Sequence, residues 1–258
     1  MKHALASFTM LLIAILCAGM IAWAQVPMTG AGLGIPVASG GGVTGWCGAI
    51  PQTGLVNCWP FDSTYTTTSV ATDPIGGKSA TLTNVTLNGS GPSSNLNNAG
   101  VFNGTSSNGV TTLVNVPTAT FSLVIWLNSP LVLNNRPIAN CHTDSDNNGI
   151  QLTYFGSGEF LFYIGNGTSN KAAVSNVVTA NTWNMFTWTY DGTTLTNYTG
   201  TSVGGTNTMA GPLTNCVTDI AFGYNPAYSG DWYSGKIAGV AIYNTSLSSG
   251  QVATINGL

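Results

Sequence analysis

Trp183-Asn184-Met185-Phe186-Thr187-Trp188-Thr189-Tyr190-Asp191-Gly192 decides the fold. Phe186, Trp188 and Tyr190 fall on one side of an extended chain and Thr187 and Thr189 on the other, the period of two that marks a strand. The stretch closes on Asp191-Gly192, a pair that tolerates the positive φ of a tight hairpin. Upstream, Phe121-Ser122-Leu123-Val124-Ile125-Trp126 is almost continuously apolar, as in a strand covered on both faces. Gln151 to Tyr154 and Phe160 to Ile164 flank Gly156-Ser157-Gly158 and read as a hairpin. Further short runs rich in Val, Ile, Thr and aromatic residues begin at Trp46. Asn88-Gly89, Asn103-Gly104, Asn108-Gly109, Asn148-Gly149 and Asn166-Gly167 punctuate them as turn signals. The pattern predicts an all-β, two-sheet antiparallel sandwich. One helix is legible: Ser248-x-x-Gln251 is a capping box ahead of Val252 and Ile255, placing a short helix at the C-terminus.

The N-terminus has a different character. Lys2 and His3 precede an apolar run from Met10 to Ala22, and Ala22-Trp23-Ala24 offers a small-x-small cleavage pattern. Residues 1–24 therefore read as a secretory signal peptide, against the rival reading of an uncleaved anchor. Cleavage leaves no membrane span and implies a secreted protein, extracellular or at the cell surface. Residues 25–45 are rich in glycine without periodicity and read as a linker. Residues 46–258 form one domain, within the roughly 200–250 residues that a single β domain can occupy. Only 5% of the chain is charged and the net charge is −3, so there is no basic patch to neutralise phosphates, which excludes nucleic acid as a partner. Cys47, Cys58, Cys141 and Cys216 survive cleavage, and an even count in an exported chain suggests two disulfides. Three pairings are possible. Cys47–Cys58 with Cys141–Cys216 is favoured because the first pair is close in sequence; free thiols are the alternative, and no CxxC spacing suggests zinc.

Five segments, in order, resemble the laminin-G-like group of the concanavalin A-like lectin/glucanase superfamily. Leu55-Val56-Asn57-Cys58-Trp59-Pro60-Phe61-Asp62 is similar to its opening aromatic strand, and Gly100-Val101-Phe102-Asn103-Gly104 to its F-x-G strand. Phe121 to Trp126 resembles its central F-S-x-x-x-W strand, and Trp183 to Gly192 its W-x-x-x-x-x-T-Y-D-G strand. Ser234 to Asn244, followed by Leu247-Ser248, resembles its closing strand and helix. The resemblance implies a jelly-roll topology and, by analogy, carbohydrate or protein binding; a fold does not by itself settle function. Ala238 stands where the family often carries Asp, and Tyr198-Thr199-Gly200 lacks the Asp of its hairpin, which weakens an inherited metal site there.

Catalysis finds little support. Most glycosidases need two carboxylates flanking the scissile bond, and this chain has one glutamate, Glu159. Gly200-x-Ser202-x-Gly204 matches a nucleophile elbow in letters only, because its surroundings read as a β-hairpin. Asp144, Asp146 and Asn148, followed by Gly149, offer alternating side-chain oxygens that suit calcium as a cofactor. Phe155 stands where an EF-hand loop needs a bidentate glutamate, and a polar hairpin turn accounts for the same residues. The loop Tyr224-Asn225-Pro226-Ala227-Tyr228-Ser229-Gly230-Asp231-Trp232-Tyr233 is the ligand-binding candidate. Tyr224, Tyr228 and Trp232 offer rings for the C–H faces of a sugar, and Asn225 and Asp231 offer partners for its hydroxyls. The resemblance implies a core aromatic at Tyr233, ahead of Ser234-Gly235, and strand alternation then turns Trp232 the other way. Trp59, Trp126, Trp183 and Trp188 also read as core. N-x-S/T sequons occur at Asn84, Asn103 and Asn197 among others.

The sequence therefore points to a secreted, non-catalytic carbohydrate-binding or adhesion module whose partner is a glycan or a cell-surface or matrix protein. An extracellular structural protein that assembles with copies of itself is the first alternative. A glycoside hydrolase of the laminarinase-like superfamily is the second.

Overall fold

The computed structural model describes residues 42–111, 114–132, 136–140, 147–214, 217–226 and 231–258. Residues 1–24, read as a signal peptide, most of residues 25–45, read as a linker, and Cys141, Cys216, Asp144, Asp146 and Tyr228 lie outside these residues. The chain opens with helix α1 (Gly45–Ala49) and strands β1 (Leu55–Trp59), β2 (Val70–Ala71), β3 (Ala80–Thr83), β4 (Thr86–Ser90), β5 (Asn98–Asn103), β6 (Asn108–Thr111) and β7 (Val114–Asn115). It continues through β8 (Phe121–Asn128), β9 (Ile138–Asn140), β10 (Ile150–Gly156), β11 (Glu159–Gly165), β12 (Asn170–Val174) and β13 (Trp183–Tyr190). It closes with β14 (Thr194–Thr199), β15 (Ser202–Thr208), β16 (Val217–Thr218), β17 (Ile220–Phe222), β18 (Ser234–Tyr243) and helix α2 (Ser249–Asn256).

Two antiparallel sheets stack as the expected jelly-roll sandwich. One runs β15-β14-β13-β8-β18-β5-β4, with β1 added beside β18; the other runs β12-β11-β10-β9-β17-β6-β3-β2. The main core lies between them. Phe121, Leu123, Ile125 and Leu127 of β8 and Phe186, Trp188 and Tyr190 of β13 meet Leu152, Phe160, Phe162 and Ile164 of the facing sheet. Phe162 stacks on Trp188 at 5.0 Å between centroids, and Phe186 on Trp188 at 5.6 Å. Burying each such ring contributes roughly 1.5–3 kcal/mol.

A second core covers the outer face of the first sheet, where Trp46 and Cys47 of α1 and Val252 and Ile255 of α2 pack over Val124, Met185 and Ala241. This explains the unbroken apolar run of β8: both of its faces are covered. The capping box forms as read, with the Ser248 hydroxyl accepting from the Gln251 N–H and the Gln251 side chain accepting from the Ser248 N–H. Helix α1 was not legible in its glycine-rich setting. Burial of Trp46 and the Cys47–Cys58 disulfide hold it against β1. Trp59 and Trp188 are core, whereas Trp126 and Trp183 are half-buried at the margin of the second core, a correction to their reading as interior residues.

Two Asn-Gly pairs are also corrected. Asn88-Gly89 lies inside β4 at a register shift, and Asn108-Gly109 inside β6. At Gly109 an added Cβ would come within 2.8 Å of Leu82, so glycine there serves close packing rather than a turn. Asp191 behaves as read: its Oδ1 accepts from the N–H groups of Thr193 and Thr194 and from the Thr193 hydroxyl. Ser202 opens β15 directly after the turn, a strand–turn–strand setting unlike that of a nucleophile elbow. The edges β12 and β15 cover one another, with Asn207 Nδ2 donating to the Ala172 carbonyl and Asn176 Nδ2 to that of Val203. Among the described residues no helix is long and apolar enough to cross a membrane.

Candidate functional site

The strand registers carry seven connections to one end of the sandwich: β3–β4, β5–β6, β8–β9, β10–β11, β12–β13, β14–β15 and β17–β18. We call this end the apex. Among the described residues, the large apolar side chains that are exposed, Val132, Phe155, Val177 and Val203, lie on or beside these connections. A single exposed apolar side chain is ordinary; the gathering of these four at one end makes the apex the candidate interaction surface.

The β17–β18 crossing from one sheet to the other builds the centre of the apex. Gly223 leaves β17 with φ +79, and an added Cβ would strike the Phe102 ring, so only glycine turns the chain here. Tyr224 and Trp232 then face each other as an antiparallel bridge, with the Asn225 N–H donating to the Asp231 carbonyl at 3.2 Å. Their rings stack at 5.1 Å with an interplanar angle of 19°. Each ring is half-buried, and stacking covers one face of each.

Tyr233 anchors the return strand. It is fully buried, its hydroxyl donates to the carbonyls of Asn128 and Lys236, and burial holds its phenol well above the usual range. Trp232 faces away from it, as alternation required. Burial, with the nearby charge of Asp219, raises the Tyr224 phenol too, so the stack stays neutral across the physiological range.

Asp231 forms an ion pair with Arg136, Nε to Oδ2 at 2.9 Å, with both side chains largely buried at 18% and 15% exposure. Arg136 sits just before β9, and β9 pairs with β17 so that Ile138 faces Phe222; the Gly223 N–H donates to the Pro137 carbonyl. Sequence reading missed Arg136 because only sheet pairing brings it beside the loop. Its single signal is that it is the chain's lone arginine.

The structure brings together Tyr224, Asp231 and Trp232 of the sequence-read site. Asn225 is 1% exposed and lies within the loop rather than on its surface. Of the residues read as calcium ligands, Asn148 is described: it is half-buried and its Oδ1 accepts from the Thr214 hydroxyl at 3.2 Å. No cluster of three His, Cys, Asp or Glu side chains suited to a metal is present among the described residues.

The arrangement offers aromatic faces beside a fixed pair of opposite charges. Rings take up the C–H faces of a pyranose or furanose, and a guanidinium and carboxylate serve hydroxyls as donor and acceptor. A family model described as the concanavalin A-like lectin/glucanases superfamily matches residues 103–253. No curated protein matches the sequence. Domain 4 of AbnA, an extracellular arabinanase of Geobacillus stearothermophilus solved with arabinotriose, is similar with TM-score 0.61 and 18% identity, covering 78% of this chain and 98% of that one. The botulinum neurotoxin serotype D ligand-binding domain, solved with N-acetylneuraminic acid, is similar with TM-score 0.60 and 14% identity, covering 79% of this chain and 50% of that one. The binding domain of Paraclostridial Mosquitocidal Protein 1 gives TM-score 0.61 and 13% identity, covering 79% of this chain and 52% of that one. The chain thus spans about half the length of these toxin domains.

Proposed function

The chain belongs to the concanavalin A-like lectin/glucanases superfamily, and on that premise we propose that it is a secreted, non-catalytic carbohydrate-binding module taking its ligand at the Tyr224–Trp232 stack. One observation carries this reading: two stacked, half-buried rings beside the Arg136–Asp231 pair, at the end of the sandwich where the exposed apolar side chains gather. Neighbours of the same fold solved with arabinotriose and N-acetylneuraminic acid support a glycan as the class of ligand.

Four of the carboxylates among the described residues are engaged in holding the structure, which favours binding over hydrolysis at those positions. Asp62 and Asp73 are buried and accept main-chain N–H groups, Asp191 shapes its turn, and Asp231 is held by Arg136. Most glycosidases need two carboxyl groups flanking the scissile bond. A glycan array, probed with and without a chelator, tests the reading. Wild-type protein should retain at least one glycan that Trp232→Ala releases. Equal retention of that glycan by both would place the ligand elsewhere, and release of reducing sugar from it would overturn the non-catalytic assignment.

A further inference from the structure

A cleft of about 520 Å³ opens at the end of the sandwich opposite the apex. Val56 and Asn57 of β1, Lys78, Asn115 of β7, Pro117 and Asn244 line it. Its size lies within the roughly 300–1,000 Å³ typical of small-ligand sites. We propose that this cleft is a second binding site, specific for a sugar residue that carries a carboxylate, whether free or within a chain.

Charge selects the anion. Lys78 is half-buried and its ammonium forms no ion pair among the described residues, while the nearby Asp73 carboxylate is taken up by main-chain N–H groups and Asn57. A lone ammonium offers a carboxylate one charge-assisted hydrogen bond. The side-chain amides of Asn115 and Asn244 are exposed and make no hydrogen bonds among the described residues. Each offers a donor and an acceptor, the pairing that a sugar hydroxyl uses. Val56 and Pro117 supply an apolar wall for ring C–H groups.

The cleft is also fixed in advance. The carboxylate of Asp73, 2% exposed, accepts from Asn57 Nδ2 at 2.7 Å and from the main-chain N–H groups of Cys58, Ile75, Gly76 and Lys78 at 2.9–3.1 Å. The Lys78 carbonyl accepts from Trp59 Nε1 at 2.7 Å. One buried acid thereby ties the Lys78 backbone to β1, and the Cys47–Cys58 disulfide ties β1 to α1. A site held this way spends little ordering entropy on binding.

Titration of the full protein with D-galacturonate, trigalacturonate and D-galactose, followed by backbone amide NMR shifts, tests the proposal. Both acids should saturate shifts at residues 56–57, 76–78, 115 and 244, with D-galactose at least about tenfold weaker, as expected for one charge-assisted contact. Preference for trigalacturonate over the monomer would assign a polymer as the source; equality would assign a free acid sugar. Lys78→Met keeps the backbone bonds to Asp73 and should abolish the preference for acid over neutral sugar. Lys171→Met, an exposed charge on β12, should leave it intact. Asn244→Ala, at an exposed position, provides a second variant and should weaken the acids about threefold or more. Equal affinity for acid and neutral sugar, an equal loss in Lys171→Met, or shifts confined to residues 224–232 would overturn the proposal. Trp232→Ala leaves this cleft untouched, so failure here and failure of the apical site are separable.

Discussion

Asp191 gathers three hydrogen bonds on one oxygen while remaining at the surface. The N–H groups of Thr194 and then Thr193 hold its carboxyl below the ordinary carboxylate value. The stability this contributes is complete above that ordinary value and disappears as pH falls through the lowered one. Asp191→Asn should therefore melt earlier than wild type at neutral pH and show a flatter melting profile below about pH 4. Parallel profiles would show that the turn gains nothing from the charge. Asp73 is the more severe case, since its removal strands buried donors. Asp73→Ala should cost about 3 kcal/mol or more in chemical denaturation, and a loss below about 1 would contradict the ties assigned to it. At the apex, Trp232→Ala should weaken glycan binding about tenfold or more in calorimetry, as for a buried aromatic anchor.

Helix α2 shows how a short element depends on its first residue. Ser248→Ala removes the acceptor for the Gln251 N–H and should cost about 1 kcal/mol, seen as a fall in Tm of roughly 2–4 °C. This helix was legible because its capping box and its apolar pair lie within a few residues. Strands β8 and β13 were legible for the same local reason, and so was the β10–β11 hairpin. Helix α1 was not, because its stability comes from Trp46 packing beside Gly239 of a distant strand and from a covalent bridge. The candidate site divides along the same line. Its rings come from one loop and could be read together, whereas Arg136 reaches Asp231 only through the β9–β17 pairing. The cleft around Lys78 left no signal, since four separate segments meet there. Trp126 and Trp183 were misplaced because alternation gives the face of a strand but not what covers it.

Across the molecule, the Cys47–Cys58 bridge couples α1 and the second core to the sandwich. Reduction should lower stability by about 2–4 kcal/mol, and an unchanged Tm under reductant would deny the bridge that role. The main core should outlast this change, because it lies between the sheets and is independent of α1. The interior of the sandwich also governs how the protein can be made. Asn197, within a sequon, is 0% exposed, and its Oδ1 accepts from the Thr199 hydroxyl. A carbohydrate chain attached to it during synthesis would have no exit once the sheets close. In a eukaryotic secretory host, mass spectrometry of exported protein should therefore find the exposed Asn84 and Asn103 open to modification and Asn197 bare. Chains modified at Asn197 should be retained by quality control, so that export yield rises when the oligosaccharyltransferase is inhibited.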